Sequence, residues 1–118
     1  MLLGQLRLEL LGRFHLCQGD QPVGGFEHAR LQHLLAYLAL HRSAPISRQQ
    51  LAYLFWPDST DQQALKNLRT LLTRLRQALP DVDCYIDITI QSIRWRLDAP
   101  FTLDVAEFEA ALAQEAAA

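Results

Sequence analysis

The hydrophobic positions of this chain follow two periods, first of two residues and then of three to four, before the period of two returns. Leu6, Leu8 and Leu10 fall on one side of residues 5–11, with Arg7 and Glu9 on the other; after Gly12 the alternation resumes with Phe14 and Leu16. Such alternation predicts two short, half-buried strands. Gln18-Gly19-Asp20-Gln21-Pro22 is turn chemistry, Val23 can add a brief third strand, and Gly24-Gly25 interrupts the pattern. The spacing of Leu31, Leu34, Leu35 and Leu38 predicts a helix over 27–42, with Arg42 suited to its negative end. Ser47-Arg48-Gln49-Gln50 has the S-x-x-Q form that caps a helix start, and Pro57 cannot continue the helix that runs through Leu51, Leu54 and Phe55. Ser59 with Gln62, or Thr60 with Gln63, then opens a third helix over 61–79.

That third helix is the strongest signal. Ala64, Leu65, Leu68, Leu71, Leu72, Leu75 and Leu79 occupy one arc, and Gln63, Lys66, Thr70, Thr73 and Gln77 the opposite one. Pro80 ends it. Two β-rich runs, Cys84 to Ile90 and Ser92 to Leu97, follow with only a residue or two between them and read as a hairpin, although Gln91-Ser92 lacks the glycine that tight turns prefer. In the tail, Val105, Phe108, Ala111 and Leu112 form an apolar stripe, which predicts a helix over 104–114 capped by Asp104. That stripe is expected to fold back on the chain or to pair with a second copy.

Composition changes the picture in one respect. A chain of 118 residues, 50% hydrophobic, can bury a core as a single domain, and its formal charge is −2. The charge is unevenly distributed: residues 1–97 carry all 11 Lys and Arg against 8 acids, a balance of +3, whereas 98–118 carry 5 acids and no base. Lys66, Arg69, Arg74 and Arg76 against Asp61 alone give the third helix +3. A cationic face that also offers Asn67, Thr70 and Thr73, poor helix formers but good hydrogen-bonding groups, suits phosphates and base edges. Met1 to Leu3 is followed by no long apolar run, so neither a signal peptide nor a membrane span is expected, and a cytoplasmic location is the default. Cys17 and Cys84 lack C-x-x-C spacing and read as reduced, small apolar residues. His15, His28, His33 and His41 have no companions at metal-ligand spacing; no phosphate loop, nucleophile elbow or carboxylate pair suggests an enzyme, and no cofactor is expected.

Strands, three helices closing in a helix-turn-helix, then a hairpin is the order of an α+β winged helix-turn-helix with an N-terminal antiparallel sheet and a C-terminal hairpin wing. The run LAYLFWPDSTDQQALKNLRTLLTRLRQAL (Leu51 to Leu79), with LELLGRF (Leu8 to Phe14), ISRQQ (Ile46 to Gln50) and TLDVAEFEAAL (Thr102 to Leu112), resembles the N-terminal DNA-binding domain of the Streptomyces-antibiotic-regulatory-protein type of bacterial transcriptional activators. The most specific parts are Trp56-Pro57-Asp58, Asn67-Leu68-Arg69 and Leu75-Arg76. The resemblance implies a winged helix similar to response-regulator DNA-binding domains, which binds direct-repeat promoter elements of double-stranded DNA as tandem copies and helps recruit RNA polymerase. It also implies a domain over 1–98, with 99–118 a linker and first helix leading into a helical activator domain. At the wing the chain departs from the family's Gly-Gly-Tyr-x-Leu phrase and has Ser92-Ile93-Arg94-Trp95-Arg96-Leu97.

Within that frame Gln63, Lys66, Asn67 and Thr70, on the first turns of the third helix, are candidates for base contact, and Thr73, Arg74 and Gln77 for phosphate contact. Alternation places Trp95 on one strand face and Arg94 and Arg96 on the other, where the arginines can attract phosphate. Arg69 and Arg76 border the core and rank lower, since arginine stems often pack there. Trp56 reads as a packing anchor for the turn. The competing reading is a winged-helix module that docks a protein and never touches DNA; it calls for apolar residues on the exposed face of the third helix, where this sequence has none.

Overall fold

The computed structural model describes residues 5–117, so the expectation for Met1 to Leu3 lies outside the described residues. The elements are β1 (Leu6–Glu9), β2 (His15–Gln18), β3 (Gln21–Pro22), α1 (Ala29–Leu40), β4 (Ile46–Ser47), α2 (Arg48–Phe55), α3 (Asp61–Ala78), a 3₁₀ turn (Val82–Cys84), β5 (Ile86–Ile88), β6 (Ser92–Trp95), β7 (Phe101–Leu103) and α4 (Asp104–Ala117). The described residues form an α+β fold with four α-helices, one mixed sheet and one antiparallel sheet. None of the helices among the described residues is long and apolar enough to cross a membrane. The chain divides into two units, residues 24–99 and the two terminal segments up to Val23 and from Pro100 onward.

In the terminal unit the strand order is β3-β2-β1-β7. Leu6, Leu8, Leu16 and Leu103 are buried, which is the inward half of the alternation. The sheet was expected to be antiparallel throughout. Instead β7 joins β1 in parallel, Leu6 opposite Phe101 and Leu8 opposite Leu103, so residues expected to form a linker complete the sheet. Asp104 follows at once, and its carboxylate accepts the N–H groups of Leu10 and Leu11 (3.0 and 2.9 Å) as well as that of Val105 (2.7 Å). Asp104, expected as the cap of the tail helix, is instead its first residue, and its carboxylate serves mainly as a clamp on the end of β1. Arg7 adds a two-pronged bond to Glu107 (3.2 and 3.1 Å). The tail thus folds back through its first turn only; Phe108 and Leu112 are 54% and 53% exposed, and the apolar stripe is not covered. The brief third strand is Gln21–Pro22, ending before Val23.

In residues 24–99, α1 buries Leu31, Leu34, Leu35, Leu38 and Ala39, and α3 buries Ala64, Leu68, Leu71, Leu72 and Leu75. These stripes pack α3 against α1 and α2, each large side chain contributing roughly 1.5–3 kcal/mol of transfer free energy. α1 is shorter than the 27–42 expected, beginning after His28, which supplies no side-chain cap, and ending before His41, yet Arg42 still donates to the Ala39 carbonyl (2.7 Å) at the negative end. The hydroxyls of Ser47 and Thr60 cap α2 and α3 by accepting from Gln50 and Gln63 N–H (3.0 and 3.2 Å). Ile46–Ser47, read in the sequence only as connector and cap, pairs with β6 to extend the hairpin into a three-stranded sheet ordered β4-β6-β5. Gly25 holds φ +88°, and a Cβ there would lie 3.1 Å from the Ala78 Cβ, so the pattern break is a required glycine against the end of α3. The first strand of the hairpin is shorter than expected because Cys84 is taken into the 3₁₀ turn; of the two cysteines read as small apolar residues, both are free thiols, Cys17 half-buried and Cys84 exposed.

Candidate nucleic-acid interface

The arc of α3 opposite its leucines carries the candidate site. An α3 of 18 residues is about 27 Å long, enough to lie along a DNA major groove. Gln63, Lys66, Thr70, Thr73, Arg74 and Gln77 are exposed and Asn67 half-buried, so the seven helical candidates share one side. None of the exposed large hydrophobic side chains of the described residues lies on α3; Tyr53 and Leu54 belong to α2.

The hydrogen bonds on this face leave it open to a ligand. The Gln63 amide donates to Asn67 Oδ1 (2.8 Å), so these two side chains form one unit in which the Asn67 NH₂ group keeps its donor capacity. The Thr70 and Thr73 hydroxyls donate back to the carbonyls of Lys66 and Arg69 (3.2 and 3.1 Å). With its proton committed along the helix, each hydroxyl oxygen retains acceptor capacity.

Two flanks border the arc. On one, Asn67, Thr70 and Arg74 line a recess with Arg30 and Trp56. The Arg30 guanidinium lies 5.6 Å from the Phe55 ring centre and 5.4 Å from that of Trp56, a stacked cation that sequence reading missed. Its only sequence signal was a cation at the start of an amphipathic helix. Trp56 is half-buried against Phe55, as a turn anchor should be. On the other flank Arg69 faces Arg48, at the start of α2, while Arg76 is engaged by Asp83 (3.2 Å).

Arg94 lies within β6 and Arg96 just beyond its end. Ile93 and Trp95 enter the core, so Arg94 takes the other face of β6, opposite Asp87. Arg94 is half-buried and its Nε is shielded without a hydrogen-bond partner; Arg96 is exposed, its backbone N–H held by the Tyr85 carbonyl (2.7 Å). Among the described residues, no group of three or more His, Cys, Asp or Glu is arranged to hold a metal.

Charge follows the division into units. Residues 24–99 contain nine Lys and Arg and seven Asp and Glu, a balance of +2, and the terminal segments two and six, a balance of −4. No family model matches the chain, and no curated protein matches it.

Proposed function

We propose that residues 24–99 are a sequence-specific DNA-binding module of winged helix-turn-helix type, with α3 as the reading helix and β5–β6 as the wing. The observation that carries this reading is the exposed face of α3: continuous, polar, cationic and without a large apolar side chain. Binding to duplex DNA rests on Lys and Arg neutralising phosphates, while Asn, Gln and Thr supply hydrogen bonds to bases. A module that docks proteins needs an apolar centre on that face, and α3 offers none. The α2–α3 pair, joined by Trp56–Thr60 and capped at both starts, supplies a short rigid turn before the reading helix.

The phrases around Trp56-Pro57-Asp58 and Asn67-Leu68-Arg69, which resemble antibiotic-regulatory activators, extend the proposal to a bacterial transcriptional activator that binds direct repeats in tandem and engages RNA polymerase. Selection of the full chain against a random duplex pool, followed by a salt titration on the enriched site, tests it. Enrichment of a repeated motif with affinity that falls linearly in log–log salt is the expected result. Failure to enrich any sequence, with binding indifferent to salt, would sink the reading.

A further inference from the structure

The flank of α3 that faces the hairpin holds a cleft of 540 Å³, bounded by Ser47, Arg48, Leu65, Arg69, Ile90 and Gln91. Its walls come from three separate parts of residues 24–99: the start of α2, the middle of α3 and the turn between β5 and β6. None of the residues that line it is acidic. Two guanidiniums are thus gathered without a carboxylate between them, which costs energy unless an anion or water separates them. Burial and then the neighbouring Arg69 and Arg76 guanidiniums push Arg48 below its ordinary pKa, the electrical sign of that crowding.

The turn beside the arginines is built stiffly. Arg48 donates from its backbone N–H to the Gln91 carbonyl (3.0 Å) and from Nε to the Thr89 carbonyl (2.8 Å). The Thr89 hydroxyl oxygen accepts the N–H groups of Gln91 and Ser92 (3.2 and 3.0 Å). One guanidinium nitrogen of Arg48 is therefore spent, with its backbone N–H, on holding the turn, and the terminal nitrogens are left for a ligand. At the tip Ile90 is 91% exposed. An exposed aliphatic side chain beside two cations, with half-buried Leu65 the other apolar residue of the cleft, matches a ligand that is anionic and apolar at neighbouring points. A sugar–phosphate strand has that alternation; a simple anion would leave Ile90 in water, and an acidic protein segment would need a wider apolar patch than these two residues.

We propose that this cleft is a second DNA contact, which takes a backbone phosphate between Arg48 and Arg69 while Ile90 lies against the adjoining sugar at the edge of the minor groove. The inference rests on the reading of α3 as a groove-bound helix, because that places its flanks at the phosphates bordering the groove. It moves the wing's phosphate contact from Arg94 and Arg96 to the turn, the start of α2 and the middle of α3.

The test uses the full chain with the duplex enriched by the wild type, a scrambled duplex and inorganic phosphate. Arg69→Ala should weaken both duplexes in similar proportion and lower the log–log salt slope by about 0.9. Arg48→Ala should do the same; since Arg48 also holds the turn, its thermal unfolding is measured alongside, and Arg69→Ala carries the test if that variant is unfolded. Ile90→Ser should weaken both duplexes severalfold at unchanged slope, as an uncharged contact must. Inorganic phosphate should shift the Nε–H resonances of Arg48 and Arg69 before those of Arg94 and Arg96. A wild type that binds its duplex while Arg69→Ala keeps the full slope overturns the cleft and leaves the reading helix standing. A wild type that binds no duplex overturns both, and phosphate-induced shifts without duplex binding mark a site for free phosphate instead of a strand.

Discussion

Asn67 has one side-chain oxygen and one NH₂ group, and its oxygen already accepts from Gln63. An amide oxygen carries two lone pairs, so Asn67 can keep that bond and still pair with an adenine edge, with Gln63 setting its orientation. Lys66 and Thr70 lie on the same exposed side, one and two turns into α3. Lys66→Ala, Asn67→Ala and Thr70→Ala should each cost about 1–3 kcal/mol on the selected site and much less on scrambled DNA at the same salt. If all three bind the selected site as the wild type does, α3 is not the reading element. Leu68→Ala is the contrast: this fully buried residue has no route to DNA, and its truncation should lower stability in urea denaturation by roughly 2–5 kcal/mol through a core cavity. Which side of α3 is exposed and which is buried was legible from the sequence because helical periodicity separates them. The roles of Arg30, Arg48 and Arg69 were not, since a cation on the border of an apolar arc gives no hint of which aromatic ring or second cation it will face.

At the scale of elements, legibility followed the strength of local rules. α3 combines a cap, a wide apolar stripe and a terminal proline, and its limits lie within a residue of the expected 61–79. β4 and β7 were missed because strands of two and three residues carry no readable period, and β7 finds its partner more than ninety residues away in the sequence. The hairpin turn without glycine is explained by Thr89. Ile90 and Gln91 are not among the residues with positive φ, and the Thr89 hydroxyl stitches the turn by accepting from two backbone N–H groups. Gly25 is the opposite case, a position where no side chain fits. Gly25→Ala should destabilise residues 24–99 by more than about 1 kcal/mol in denaturant unfolding, since it combines a left-handed backbone with a close approach to Ala78. Stability equal to the wild type would mean that the end of α3 yields freely at Ala78.

At the scale of the molecule the sequence showed acidity gathered in the tail, but the structure redraws the boundary. The acidic tail joins the amino-terminal strands, so the charge division is between units and not between a globule and an extension. The junction within the terminal unit depends on Asp104, and its ionisation makes that unit sensitive to acid. Burial tends to raise the Asp104 carboxyl, but the N–H groups of Leu10, Leu11 and Val105 and the charge of Arg7 outweigh it and hold the pKa below the ordinary value. A carboxyl depressed in the folded state adds stability above its unfolded pKa, about 3.9, and that stability disappears as pH falls through the lower folded value. On titration from about pH 5 to about pH 2, amide NMR signals of Leu6–Glu9 and Phe101–Leu103 should move toward unfolded positions before those of Leu68 to Leu75 in α3. Asp104→Asn should destabilise the terminal unit at neutral pH, because a neutral amide is a weaker acceptor for the three N–H groups, and should flatten its acid dependence. Simultaneous loss of both sets of signals in the wild type, or an acid transition unaltered in Asp104→Asn, would show that the clamp does not govern this unit.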